Sequence, residues 1–88
     1  DLSEDMRLIM DEGVKRLTAR MADLIVQGQK EGSIASVQPA QSLAQVIYQM
    51  FLGAALLSKL HKEKTPLYQA LDASKALLTG CQHNQQEK

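Results

Sequence analysis

Aromatic residues are scarce in this chain. Tryptophan is absent, and the only rings are Tyr48, Phe51 and Tyr68. Three rings are too few for a surface on which bases stack. Neither charge is in excess: ten Lys and Arg balance ten Asp and Glu, so the formal net charge is zero. No basic stripe breaks that balance, which excludes nucleic-acid binding by these residues themselves. A single cysteine, Cys81, excludes an intrachain disulfide and fits a reducing, cytoplasmic setting. No Ser-His-Asp set, glycine-rich phosphate loop or paired-carboxylate cleft is present, so no catalytic residue, enzyme activity or cofactor is expected. His61 and His83 lack partners at metal-ligand spacing, so no metal is expected either. There is no signal-peptide pattern. The chain begins at Asp1 and reads as a domain of something longer. Its 88 residues allow one small domain, of a size often marginal alone. Strand signals and internal repeats are also missing, which leaves an all-α fold.

What is present is concentrated in Leu43 to Leu60, LAQVIYQMFLGAALLSKL. The segment is made of helix formers and is apolar on more than one side. A surface helix needs one apolar stripe, so this one must be covered on two faces. Its length approaches a minimal membrane span. Gln45, Gln49, Ser58 and Lys59 interrupt it, and cover by protein, with no membrane, is the expectation.

Punctuation divides the chain into three helices. The first spans about residues 4–31, with Ser3 as N-cap, Glu4 and Asp5 in the first turn, and Gly32 as the stop. Its apolar residues Met6, Met10, Val14, Leu17, Met21 and Leu24 alternate by three and four and mark one helical face, which Ile9 and Ile25 widen. Asp11 with Lys15, and Glu12 with Arg16, are acid-then-base pairs four apart. Ser33 to Gln38 is a short linker with Ile34 and Val37 as expected anchors. The second helix spans about 39–62, with Pro39 in its first turn. The third spans about 66–79, with Thr65 as N-cap and Gly80 as stop. Residues 1–80 form the helical unit, and 81–88, CQHNQQEK, read as a disordered polar tail.

Helix two is the reason to expect a partner. One of its faces packs on helix one. The other, with helix three beside it, has nothing left in the chain to cover it. Burying a large apolar side chain is worth roughly 1.5–3 kcal/mol, and leaving several exposed makes an interface patch. A symmetric pairing solves this: helices two and three of two copies form a four-helix bundle. Gly53-Ala54-Ala55 at mid-helix lets backbones approach at the crossing, although plain intrachain packing would also use small residues there.

The run FLGAALLSKLHKEKTPLYQAL resembles the penultimate-helix and last-helix segment of TetR-type transcriptional regulators. The matching residues are Phe51, Leu52, Gly53, Ala54, Lys59, Pro66, Leu67, Ala70 and Leu71. Upstream, QGQKEGSI (Gln27 to Ile34) is similar to the G-x-x-x-G-x-I ending of the preceding helix, and the opening DLSEDMR resembles the N-ethylmaleimide-responsive repressor branch. The resemblance covers almost the whole chain. It implies the last three helices of a C-terminal domain that dimerises through its final two helices and binds a small-molecule inducer. Operator DNA would be bound only by an N-terminal helix-turn-helix domain, which these residues do not include. Phe51 stands where Trp is frequent in the family.

Two sets of candidate residues follow. The homodimer interface is expected at Ile47, Met50, Phe51, Gly53, Ala54, Leu57, Leu71, Ser74 and Leu78. A ligand is expected against Met10, Leu17 and Met21 of the long helix, with Tyr48 reaching in and Lys59 partly buried nearby. Methionines suit adaptable apolar pockets, yet core packing is the plainer reading of each one. Lys59 has a plainer reading too, as a stem lying on apolar surface with its ammonium in water. Cys81, behind a helix C-terminus, has no setting that favours thiolate. The alternative function is a stand-alone homodimeric interaction module with no ligand or DNA role.

Overall fold

A computed structural model describes residues 3–80 as three helices: α1 (Glu4–Glu31), α2 (Ala40–His61) and α3 (Thr65–Thr79). Cys81, His83 and the expected tail at 81–88 lie outside the described residues. The fold is all-α, as the punctuation predicts. Ser3 is extended, and its Oγ accepts the Met6 N–H at 3.1 Å. Gly32 closes α1 at φ 88°, a left-handed conformation that glycine adopts without steric penalty. Two exposed ion pairs lie on α1, Arg7–Glu4 at 2.6 Å and Lys15–Asp11 at 3.1 Å. The Arg7 hydrogen bond holds the Glu4 carboxyl below its usual range, but solvent screening leaves such pairs little weight. The expected Glu12–Arg16 pair does not close.

Two helix starts differ from expectation. Pro39 is the N-cap of α2 and not part of its first turn; its carbonyl accepts the Leu43 N–H at 3.0 Å. α3 begins one residue early, at Thr65, with Lys64 as its N-cap. Lys64 is already near-helical (φ −97°, ψ 0°), and its carbonyl accepts the Leu67 and Tyr68 N–H groups. The turn from α2 is so short that no extended residue separates the helices. Thr65 Oγ1 therefore donates to Glu63 Oε1 at 2.9 Å and caps nothing.

That turn stores strain. Lys62 sits at φ 55°, and its N–H and that of Glu63 both reach Ser58 O. A side chain in this region costs roughly 1–2 kcal/mol. Lys62→Gly is expected to stabilise the chain by about 1 kcal/mol, read as a higher urea midpoint with unchanged slope.

α2 lies in the middle, with α1 and α3 each packed on it and not along one another. The molecule measures 46 × 34 × 15 Å. Its radius of gyration, 15.2 Å, exceeds the about 12 Å of a compact chain this long. Domains normally consist of two packed layers around one core; here α1 and α3 flank α2 without packing on one another, an open arrangement of the described residues.

The core sits where the packing is tightest, at the α1–α2 linker end. Ala22 and Ile25 of α1 meet Ala40, Leu43 and Ala44 of α2, with Met21, Ile34, Leu77 and Leu78 packed around them. Gly28 is buried, and a Cβ on it would lie 2.5 Å from Ile34 Cδ1. The buried line of α1 is thus Thr18, Ala22, Ile25 and Gly28. Of the expected stripe Ile25 is buried and Val14 and Met21 are half-buried. Met6, Met10, Leu17 and Leu24 are all about half or more exposed. Ala22 of α1 and Ala40 and Ala44 of α2 bring the two backbones close, and Ile25 and Leu43 fill the space beside them. Thr18 tolerates burial because its hydroxyl donates to Val14 O at 2.9 Å. In the linker Ile34 packs as expected, whereas Val37 is 95% exposed and Ser36 is the buried anchor.

Candidate pairing groove and sensing face

α2 and α3 leave an open groove of about 350 Å³. Five residues of α2 line it, Gln49, Met50, Gly53, Ala54 and Leu57, and four of α3, Pro66, Gln69, Ala70 and Ala73. Both sets recur by three and four, so each occupies one helical face. Glycine and alanines supply small lining surface, Met50, Leu57 and Pro66 larger apolar surface, and two glutamine amides the polar groups. The lining carries no titratable side chain, so the groove has no acid–base chemistry to offer. It can accept apolar surface and a few amide hydrogen bonds. On α2, Leu52, Leu56, Leu57 and Leu60 add further exposed apolar area. By length and composition α2 is also apolar enough to cross a membrane.

Gly53 is the most telling residue of this face. A Cβ built on it would meet nothing within 4 Å. Glycine inside a helix costs about 1 kcal/mol relative to alanine. Gly28 recovers that cost through its fit to Ile34; Gly53, like Gly13 of α1, has only open space beside it, and of the two only Gly53 lies in an apolar groove.

The residues expected at a pairing surface are divided by the structure. Met50, Gly53, Ala54 and Leu57 line the groove. Ile47, Ala54 and Ser74 are buried within the chain itself. Phe51 is half-buried outside the groove lining. Leu71, Ser74 and Leu78 run along a different line of α3, with Leu78 packed against the core. The α3 residues that do line the groove are Pro66, Gln69, Ala70 and Ala73, and the spacing of small residues at Ala70 and Ala73 is the signal that finds them.

Ser74 carries a separate consequence. It is buried, and its Oγ has no hydrogen-bond partner. A buried unpaired hydroxyl costs roughly 1–3 kcal/mol. Ser74→Ala is expected to stabilise the folded chain by about 1 kcal/mol, visible as a rise in melting temperature.

The expected ligand residues do not line the groove. Met10 and Leu17 are exposed on α1, and Met21 packs at the edge of the core. Tyr48 is half-buried on α2, and Lys59 is exposed where partial burial was expected. Lys59 belongs to the outer side of α2, which no element among the described residues covers. No group of His, Cys, Asp and Glu among the described residues is placed to hold a metal ion.

Comparison with known proteins identifies this architecture. The family described as tetracyclin repressor-like, C-terminal domain matches residues 1–74. The HTH-type transcriptional repressor NemR of Escherichia coli (strain K12) is 35% identical over 71 residues, which is 81% of this chain and 36% of that protein. NemR of Escherichia coli O6:H1 matches to the same extent. A crystal structure described as a TetR/AcrR-family transcriptional regulator is 69% identical in sequence, with a TM-score of 0.83 over 89% of this chain and 43% of that one. The chain thus spans about a third of the length of the curated relatives it matches. Helix order, the matched residues and the shared fold agree: this chain belongs to the tetracyclin repressor-like C-terminal domain family of transcriptional regulators.

Proposed function

We propose that these residues are the pairing and effector-sensing part of a transcriptional repressor. The observation that carries the pairing is the unfilled space over Gly53, in an apolar groove of an open arrangement in which α1 and α3 do not pack on one another. A second copy supplies the missing cover: α2 and α3 of each chain meet across a two-fold axis as a four-helix bundle. The outward leucines of α2 are then covered by protein and not by lipid, in keeping with Gln45, Gln49 and Lys59 on the same helix.

Sensing falls to the long helix. The exposed line of Met10 and Leu17, continued by Met21, offers adaptable apolar contacts to a small-molecule inducer, with Tyr48 and Lys59 on α2 as further candidates. The inducer acts by population shift, favouring a dimer geometry in which paired DNA-binding domains no longer match the operator. Operator DNA is contacted only by a helix-turn-helix domain outside these 88 residues, and the protein works in the cytoplasm.

Light scattering across a dilution series tests the pairing. The expected result is a mass of two chains that falls to one at low concentration. A folded monomer at every concentration overturns it.

A further inference from the structure

We propose that the α1–α2 linker is a coupling element that ties the end of α1 to the end of α3, with Gln29 as its positioning residue. α1 and α3 do not pack along one another, yet a chain of hydrogen bonds joins them. Gln29 Nε2, on the last turns of α1, donates to Ser36 O and to Gln38 O, both at 2.9 Å. Both amide protons of one side chain are thereby spent on one short stretch of linker. The Ser36 N–H in turn donates to Leu78 O at 3.0 Å. That carbonyl belongs to the last turn of α3, where helical carbonyls have no partner of their own. Ser36 is buried, and its Oγ accepts the Gln38 N–H at 3.3 Å. Its backbone also lies against Gly80, whose Cβ, if present, would be 3.8 Å from Ser36 Cα.

Ser36 is therefore held through both of its flanking peptides, by Gln29 at its carbonyl and by Leu78 at its N–H. A shift of the α1 end moves Gln29, Gln29 moves Ser36, and the α3 end follows through Leu78. The α2 backbone need not deform, since the path enters and leaves at its N-terminal end. The regulatory use of this coupling rests on the pairing proposed above, in which α3 lies at the dimer contact. An inducer that displaces α1 then reaches the dimer contact through the linker.

Amide hydrogen exchange on the whole chain tests the coupling, with wild type, Gln29→Met, Gln29→Glu and Gln27→Met compared. Gln27 serves as control because its amide bonds only Glu31 on the same helix. Gln29→Met is expected to speed exchange about tenfold at Ser36 and at Leu78 to Gly80, relative to the middle of α2, on the scale of two lost hydrogen bonds. Gln29→Glu is expected to do more, because it sets a carboxylate against two carbonyl oxygens. Gln27→Met should leave both sites unchanged. Faster exchange confined to the linker overturns the coupling, and so does a uniform rise that includes α2. The measurement is made above and below the concentration at which the chain associates. If the chain is monomeric throughout and the α3 end still responds, the coupling stands and the pairing fails.

Discussion

Gly53→Leu is expected to convert the dimer to a monomer without unfolding the chain. The position is exposed within one chain, and nothing within 4 Å would meet a Cβ there. A leucine is a far better helix former than glycine, so the isolated chain gains stability. In the paired state the same side chain fills space needed by the opposing helix. Overpacking a contact costs about 1–3 kcal/mol, and a two-fold interface suffers the change twice. A total of about 4 kcal/mol weakens association about a thousandfold. Sedimentation equilibrium reads the dissociation constant, and circular dichroism checks that helix content is kept. Gly53→Ala refines the test: it should raise the stability of the single chain by about 1 kcal/mol, with a smaller loss of pairing. An unchanged dimer constant for Gly53→Leu removes Gly53 from the contact.

Leu43→Ala is expected to unfold much of the population at room temperature. Leu43 is only 2% exposed and is the largest fully buried side chain. It stands in the single cluster where α1 and α2 meet, with Leu77 and Leu78 of α3 packed against it. Truncating a buried leucine costs about 2–5 kcal/mol, more where the site cannot collapse. Three of the neighbours, Ala22, Ala40 and Ala44, have no side-chain length with which to fill the gap. Small domains have little stability to spare, and an open arrangement has less than most. Chemical denaturation should show a loss of about 3 kcal/mol or more and a lower midpoint. A loss below about 1 kcal/mol would mean that stability lies in contacts elsewhere. The contrast with Leu57 sharpens the point. Leu57 is 45% exposed, so Leu57→Ala should spare the single chain and weaken association.

Helix limits were largely legible in the sequence because caps are local chemistry. Ser3, Gly32 and Gly80 act on backbone groups three or four residues away, and they stand where expected. Pro39 and Thr65 were misplaced by one position, because a proline or threonine marks a helix start without saying which residue first turns helical. The buried face of α1 was only partly legible. Apolar periodicity ranks Met10, Leu17 and Leu24 with the core, but the α2 surface opposite sets Ala40 and Ala44 beside Leu43. Close approach selected Thr18, Ala22 and Gly28, which a hydrophobicity count passes over. The larger side chains were left outside, on the faces assigned here to sensing. The groove was partly legible: the GAA step pointed to Gly53 and Ala54, and the small residues Ala70 and Ala73 mark the α3 line that shares it.

The sequence by itself determined the class, the helix count, the balance of charge and the family. All of these depend on residue type and on spacing within a few turns. The tertiary structure alone decided which apolar residues are spent inside the chain and which stay exposed on its surface. That division depends on how closely the helix axes approach. The approach is set by the smallest residues on the facing surfaces, here Ala22, Ala40 and Ala44, and, at the end of α1, by the fit of Gly28 to Ile34.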